Sequence, residues 1–68
     1  MLQIFECFDF IEFLKTKNIK LNGVYLDNKT LFIRVYDRYN FNTTKIVSYA
    51  LSYFKNVDFN EIKVKRII

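Results

Sequence analysis

Two runs of alternating apolar residues, separated by a short polar turn, constrain the fold of this chain more than any other feature. Residues 19–27 and 30–37 are rich in Val, Ile, Leu, Phe and Tyr, a composition and period typical of β-strands. Between them lies Asp27-Asn28-Lys29, and Asp and Asn are residues that tight turns favour. The middle of the chain is therefore predicted to form a β-hairpin.

A first helix is predicted before the hairpin. Asp9 and Glu12 have the spacing of a capping box, whose two side chains satisfy free N–H groups at the start of a helix. This pattern predicts a helix over residues 10–17, with Asn18 as its left-handed terminator. Residues 2–8 fit either a strand or an extension of this helix, because their apolar positions recur at both spacings.

A second helix and a final strand are predicted in the carboxyl-terminal half. Asn42, Thr43 and Thr44 are all suitable N-caps, because each carries a side-chain oxygen. The apolar positions that follow recur at helical spacing: Ile46, Ala50, Tyr53, Phe54 and Val57. In the last eight residues, 61–68, a final amphipathic strand is predicted because Ile62, Val64 and Ile68 alternate with Lys63, Lys65 and Ile67.

The order of these elements is β-α-β-β-α-β, which resembles the ferredoxin-like split βαβ, an antiparallel sheet with two helices on one face. If residues 2–8 are helical, the order becomes α-β-β-α-β and the sheet has three strands. Either order gives a small α+β protein. Without an internal repeat or a linker, residues 1–68 are expected to form a single domain.

The composition excludes covalent and zinc-based stabilisation. The chain has one cysteine and no histidine, so an internal disulfide or a zinc site is not expected. Its eight Phe and five Tyr supply large side chains for a small core instead. No apolar run approaches the ~18 residues of a membrane span. The first charged residues are acidic, unlike those of a signal or transit peptide. We therefore expect a cytoplasmic protein without a membrane partner, in a bacterium or an infected host cell.

The sequence contains no strong catalytic signature. Histidine, the commonest general base near neutral pH, is absent, and Gly23 stands alone instead of forming a glycine-rich phosphate loop. Asp9 and Asp37 both follow predicted strands, but in the ferredoxin-like arrangement those strand ends lie at opposite edges of the sheet. We expect a non-enzymatic protein without cofactor or metal. Abundant Phe, Tyr, Ile, Asn and Lys, with one Gly and no Pro, indicate an AT-rich genome, such as that of a low-GC bacterium, its phage or a plasmid.

The candidate binding site is the sheet face opposite the helices. If Leu31, Ile33 and Val35 face the helices, the residues between them face the other way, because side chains alternate along a strand. The same register is expected to place Cys7 and Asn22 on that face. The predicted partner-binding residues, aromatic and basic, are Phe5, Lys20, Phe32, Arg34, Tyr36, Arg38, Lys63 and Lys65.

Aromatic side chains surrounded by Lys and Arg form a platform on which nucleobases can stack, while the basic groups bind the phosphates. In this respect the face resembles an RNA-recognition motif, whose central strands present aromatic side chains to bases. Ile4-Phe5 is similar to the start of that family's first-strand motif, whereas residues 32–36 lack its glycine. The likeness is one of arrangement, and it implies binding of single-stranded RNA or DNA.

Two other interpretations of this face compete with nucleic-acid binding. A second copy or a partner protein covers it, or a different register makes it the core. A net charge of +4 is expected of a surface that binds nucleic acid, although many proteins carry a similar charge for solubility alone. Our leading hypothesis is a small protein that occupies a protein or nucleoprotein surface, as an inhibitor of host defence or an accessory factor would. Direct binding of single-stranded nucleic acid is the alternative.

A second candidate surface contains Lys45, Tyr49, Ser52 and Tyr53.

Overall fold

A computed structural model describes residues 2–36 and 42–67 of the chain. Along the chain the elements are β1 (Leu2–Phe5), α1 (Phe8–Lys15), β2 (Leu21–Asp27), β3 (Thr30–Tyr36), α2 (Thr43–Tyr53) and β4 (Glu61–Ile67). The four strands form one sheet in the order β1-β2-β3-β4. The predicted small α+β class is confirmed. Asp37 and Arg38, which the sequence analysis singled out, lie outside the described residues.

The arrangement of the strands differs from the ferredoxin-like prediction. β1 pairs with β2 and β2 pairs with β3 in antiparallel fashion, but β3 and β4 are parallel neighbours. The sheet is therefore mixed, and the predicted antiparallel sheet was wrong. Helix α2 carries the chain back to the end of the sheet where β3 begins, so β4 runs beside β3 in the same direction. Apolar alternation specifies which face of a strand is buried, but not which strand lies next to it.

One hydrophobic core lies between the sheet and both helices. At its centre, Leu31 and Ile33 of β3 are 0% exposed and Val35 is 1% exposed. Ile62 and Val64 of β4 lie beside Leu31 and Ile33 in the strand register and pack against this core, as predicted. The other buried members come from the helices, β2 and the connecting segments: Cys7, Phe10, Leu14, Ile19, Leu21, Val24, Ile46, Ala50 and Phe54.

The start of α1 corrects the predicted capping box. The helix begins at Phe8, and Cys7 occupies the N-cap position without a side-chain hydrogen bond. The Ile11 N–H donates to the Cys7 carbonyl at 3.0 Å, which places Asp9 inside the first turn. There its carboxylate interacts favourably with the positive end of the helix dipole. The helix ends at Lys15, two residues before the predicted end, and Asn18 has the predicted left-handed conformation, with a φ of 61°.

The hairpin turn and the cap of α2 agree with the sequence predictions. Asn28 and Lys29, with φ values of 50° and 65°, are both left-handed, as in the turn whose twist matches that of a β-hairpin. The Asn42 side chain accepts hydrogen bonds from the backbone N–H groups of Thr44, at 2.9 Å, and Lys45, at 3.3 Å. Two of the free N–H groups at the start of α2 are thereby satisfied.

Candidate binding face of the sheet

The four strands present an open face on the side of the sheet opposite the two helices. Because the pairing registers align the strands, its side chains lie in rows that cross the sheet. The row at the hairpin end contains Leu2, Asp27, Thr30 and Glu61. The second row contains Ile4, Tyr25, Phe32 and Lys63. The third contains Gly23, Arg34 and Lys65, and the fourth contains Tyr36 and Ile67, with Lys20 and Asn22 beside Tyr36.

A stacked aromatic pair lies at the centre of the open face. The rings of Tyr25 and Phe32 are nearly parallel, with an interplanar angle of 17° and centroids 4.8 Å apart. The Lys65 Nζ atom lies 4.9 Å from the centroid of the Phe32 ring. Phe32 is therefore flanked by an aromatic ring from β2 and an ammonium group from β4. This arrangement combines ring stacking with a cation–π contact.

Tyr36 forms a second ordered group at the other end of the open face. Its hydroxyl oxygen accepts a hydrogen bond from the Asn22 Nδ2 group at 2.8 Å. The Lys20 Nζ atom lies 5.6 Å from the centroid of its ring. Its backbone N–H also donates to the Lys20 carbonyl at 3.0 Å, which extends the pairing of the two strands. Contacts with Lys20 and Asn22 thus hold the Tyr36 side chain in place.

The charges on the open face are unevenly distributed. Acidic Asp27 and Glu61 lie in the row at the hairpin end, whereas the rows beyond it carry only basic charges. Arg34 and Lys65 are direct partners in the register of β3 and β4, and both are exposed. Within residues 2–36 and 42–67, neither forms an ion pair with a carboxylate. Like charges on neighbouring strands repel each other, so this pair is an unfavourable feature of the isolated chain.

Phe5 and Cys7 do not belong to the open face, so this part of the sequence prediction was wrong. The Phe5 ring lies on the helix side, 5.5 Å from the ring of Phe54, and Cys7 is 3% exposed within the core. Phe5 is paired with Val24, which also faces the core. This register turns Ile4 outward, and the residue is 74% exposed.

Tyr25 is a residue of the open face that the sequence analysis missed. The register of β2 against β3 shifts between Leu21 and Gly23, which marks a β-bulge. Because a bulge adds one residue to a strand, the alternation reverses beyond it, and Tyr25 points outward while Val24 points inward. The lone Gly23 was the available signal, since glycine within a strand often marks a bulge. A Cβ atom at Gly23 would meet no heavy atom within 4 Å, so the third row is open there.

The other predicted residues lie where the alternation placed them. Phe32, Arg34 and Tyr36 share the open face with Lys63 and Lys65 of the neighbouring strand. Lys20 joins them through its contact with Tyr36. Arg38 lies outside the described residues. Five of these side chains thus come from adjacent strands, and the sixth extends the same surface.

The second candidate surface is only partly assembled as predicted. Tyr49, Ser52 and Tyr53 line a groove of about 360 Å³ together with Phe10 and Phe13 of α1. The rings of Phe13 and Tyr49 meet edge to face, with centroids 5.2 Å apart. Lys45 is exposed one turn before Tyr49 and does not line the groove. The groove is mainly aromatic and lies between the two helices.

Among residues 2–36 and 42–67 there is no group of three His, Cys, Asp or Glu side chains that could hold a metal ion. Burial raises the pKa of the Cys7 thiol, which disfavours the reactive thiolate.

Among the described residues, neither helix has the length and apolar character needed to cross a membrane. Comparisons with protein families, with curated proteins and with solved structures found no significant match.

Proposed function

We propose that this chain is a small non-enzymatic binding protein whose open face contacts an acidic surface of a partner protein. The observation that carries the proposal is the adjacent pair Arg34 and Lys65, which has no carboxylate partner in the described part of the chain. A carboxylate placed between them would convert a repulsive pair into two charge-assisted hydrogen bonds. Lys63 and Lys20, on the rows to either side, extend the same positive surface.

Apolar side chains around these bases supply the non-polar part of the proposed contact. Ile4 is 74% exposed and Leu2 is 59% exposed on the same face. Tyr25 and Phe32, partly exposed at its centre, are of the kind enriched at protein interfaces. A protein partner can cover both the apolar and the basic parts, which a phosphate backbone alone cannot.

The geometry at Phe32 favours a protein partner over stacked nucleobases. A base needs a free ring face, but Tyr25 and Lys65 flank the Phe32 ring from the two neighbouring strands. To stack on Phe32, a base would have to displace one of them. A carboxylate can approach Arg34 and Lys65 without disturbing the aromatic pair. A protein that binds carboxylates on its partner in this way acts by occupying the partner's surface, as an inhibitor or an accessory factor does.

Binding to two polyanions tests this proposal. Poly-L-glutamate supplies carboxylates, and oligothymidylate supplies phosphates together with bases that can stack. We expect the glutamate polymer to bind more tightly at equal charge and the double variant Arg34→Ala/Lys65→Ala to bind it at least about tenfold more weakly, since bonds to charged groups are among the stronger ones. The matched control is Lys17→Ala/Lys55→Ala, which removes two exposed lysines, of which Lys17 lies over the Phe13 ring of α1.

Two outcomes would overturn the proposal. Equal weakening by both double variants would show that net charge alone drives binding. Tighter binding of oligothymidylate, lost in Phe32→Ala and declining with log salt by roughly 0.7 per phosphate contact, would identify a single-strand binding protein instead.

A further inference from the structure

The outer edge of β4 is an unpaired strand edge beside the basic side chains. β4 is the last strand of the sheet and has seven residues, whereas β1 at the opposite edge has four. In the described part of the chain, no strand pairs with β4 on the side away from β3. An edge strand presents a row of unpaired backbone N–H and C=O groups, to which an extended peptide can add.

The side chains of β4 specify what such a peptide must carry. Lys63 and Lys65 lie on the open face, while Ile62 and Val64 lie on the helix side, packed against the core but only partly buried. In a new strand beside β4, alternate side chains would lie about 5 Å from each of these two sets, measured between Cβ atoms. The complement of residues 62–65 of β4 is therefore a segment in which acidic and apolar residues alternate.

A second copy of the chain does not satisfy these requirements. In the antiparallel register that pairs all seven residues of two β4 strands, Lys63 of each copy would lie opposite Lys65 of the other. Lysine on edge strands discourages such self-pairing. The edge strand β1, Leu-Gln-Ile-Phe, has no carboxylate to offer. The acidic residues Asp9 and Glu12 belong to helix α1 and are not available in extended form. The lysines that oppose self-association thus favour an acidic strand from another protein.

We infer that β4 binds an extended segment of a partner protein, with alternating acidic and apolar residues, as a fifth strand of the sheet. The inference rests on the proposed function, because strand addition and the proposed contact of the open face use the same basic side chains to recognise the partner. The carboxylates of the segment face Lys63 and Lys65, and its apolar side chains extend the cover of Ile62 and Val64. Arg34 lies one strand further in and reinforces the positive potential of this edge.

Synthetic peptides of alternating Glu and Val, with blocked ends, test this mode of binding. We expect a titration followed by amide hydrogen exchange to show protection of those β4 amides that do not bond to β3. The matched control peptide has the same sequence but carries N-methyl groups along the backbone edge that would pair with β4. It keeps the charges and side chains but should bind about tenfold more weakly or worse, because several backbone hydrogen bonds cannot form.

A charge exchange provides a second, independent readout. In Lys63→Glu/Lys65→Glu the Glu-Val peptide should no longer bind, whereas a Lys-Val peptide should bind in its place. The control variant Lys17→Glu/Lys55→Glu changes the net charge equally and should keep the original preference. Each variant's melting curve shows whether it folds. If the double lysine variant does not fold, the comparison of the two peptides in the parent protein still tests the inference.

The outcomes separate this inference from the proposed function. If the N-methylated peptide binds as tightly as its parent and no β4 amide is protected, strand addition is wrong while binding of acidic partners stands. If no acidic peptide or polymer binds, the proposed function is wrong as well. Concentration-dependent protection of β4 in the protein alone would show that a second copy occupies the edge, and would overturn the inference.

Discussion

The two sides of β3 differ more than any other neighbouring parts of this molecule. Leu31, Ile33 and Val35 face the helices and are almost completely buried, while Phe32, Arg34 and Tyr36 alternate with them and remain partly or fully exposed. The chain itself covers the first set with two helices. It leaves the second set, with its bases and aromatic rings, uncovered. One side of β3 thus stabilises the fold, and the other is the side that we propose contacts a partner.

The largest effect is expected from removing β4. Its residues pair with β3 from Thr30↔Glu61 to Tyr36↔Ile67, and Ile62 and Val64 complete the helix-facing side. Deleting residues 61–68 should abolish cooperative unfolding, because a domain of this size has only ~0.05–0.15 kcal/mol of stability per residue. Urea titration followed by circular dichroism measures this. A truncated chain with an unchanged transition would show that β4 contributes only to the open face.

The next effect compares consecutive residues of the same strand. Ile33→Ala should lower the free energy of unfolding by about 2–5 kcal/mol, since it leaves a cavity beside fully buried neighbours. Arg34→Ala, one residue further on, should change it by less than about 0.5 kcal/mol, as expected for an exposed surface residue. Chemical denaturation of both variants gives the comparison. Similar losses for the two residues would remove the distinction between the sides.

Sequence reasoning succeeded where a local rule decides the structure. Alternation alone assigned the faces of β3 and of the Ile62 and Val64 positions, because period two is enforced by strand geometry. Asn42 was among the predicted caps because its side-chain oxygen reaches N–H groups only two and three residues away. The left-handed residue at the end of α1 was predicted for the same local reason.

Sequence reasoning failed where the pairing of strands distant in sequence decides the structure. The bulge near Gly23 reversed the alternation, so that Tyr25 was not predicted on the open face. The pairing of β1 with β2 placed Ile4 on that face instead of the predicted Phe5. The parallel neighbour β4 could not be inferred, because the same apolar pattern fits several strand orders. The aromatic half of the candidate site was therefore predicted less well than the basic half.

A smaller effect concerns Cys7, on the helix-facing side. Burial raises the pKa of its thiol above the ordinary 9.0, so the folded protein keeps it protonated at a pH where the unfolded chain ionises. Its contribution to stability is complete below pH 9.0 and is lost as the pH rises through the raised value. Labelling by Ellman's reagent should be slow in the native protein and fast in denaturant. A partner on the open face should leave the native rate unchanged; rapid native labelling would show that this region opens easily.

The most direct test of the central claim is the melting temperature of Arg34→Ala/Lys65→Ala measured beside that of the parent. The variant loses the contact between Lys65 and Phe32 but also the repulsion between two adjacent cations, so the two effects oppose each other. We predict a shift of less than about 4 °C, the change that roughly 0.5–1 kcal/mol produces in a domain this small. A fall as large as that of Ile33→Ala would contradict the account, because the open face would then be part of what holds the fold together.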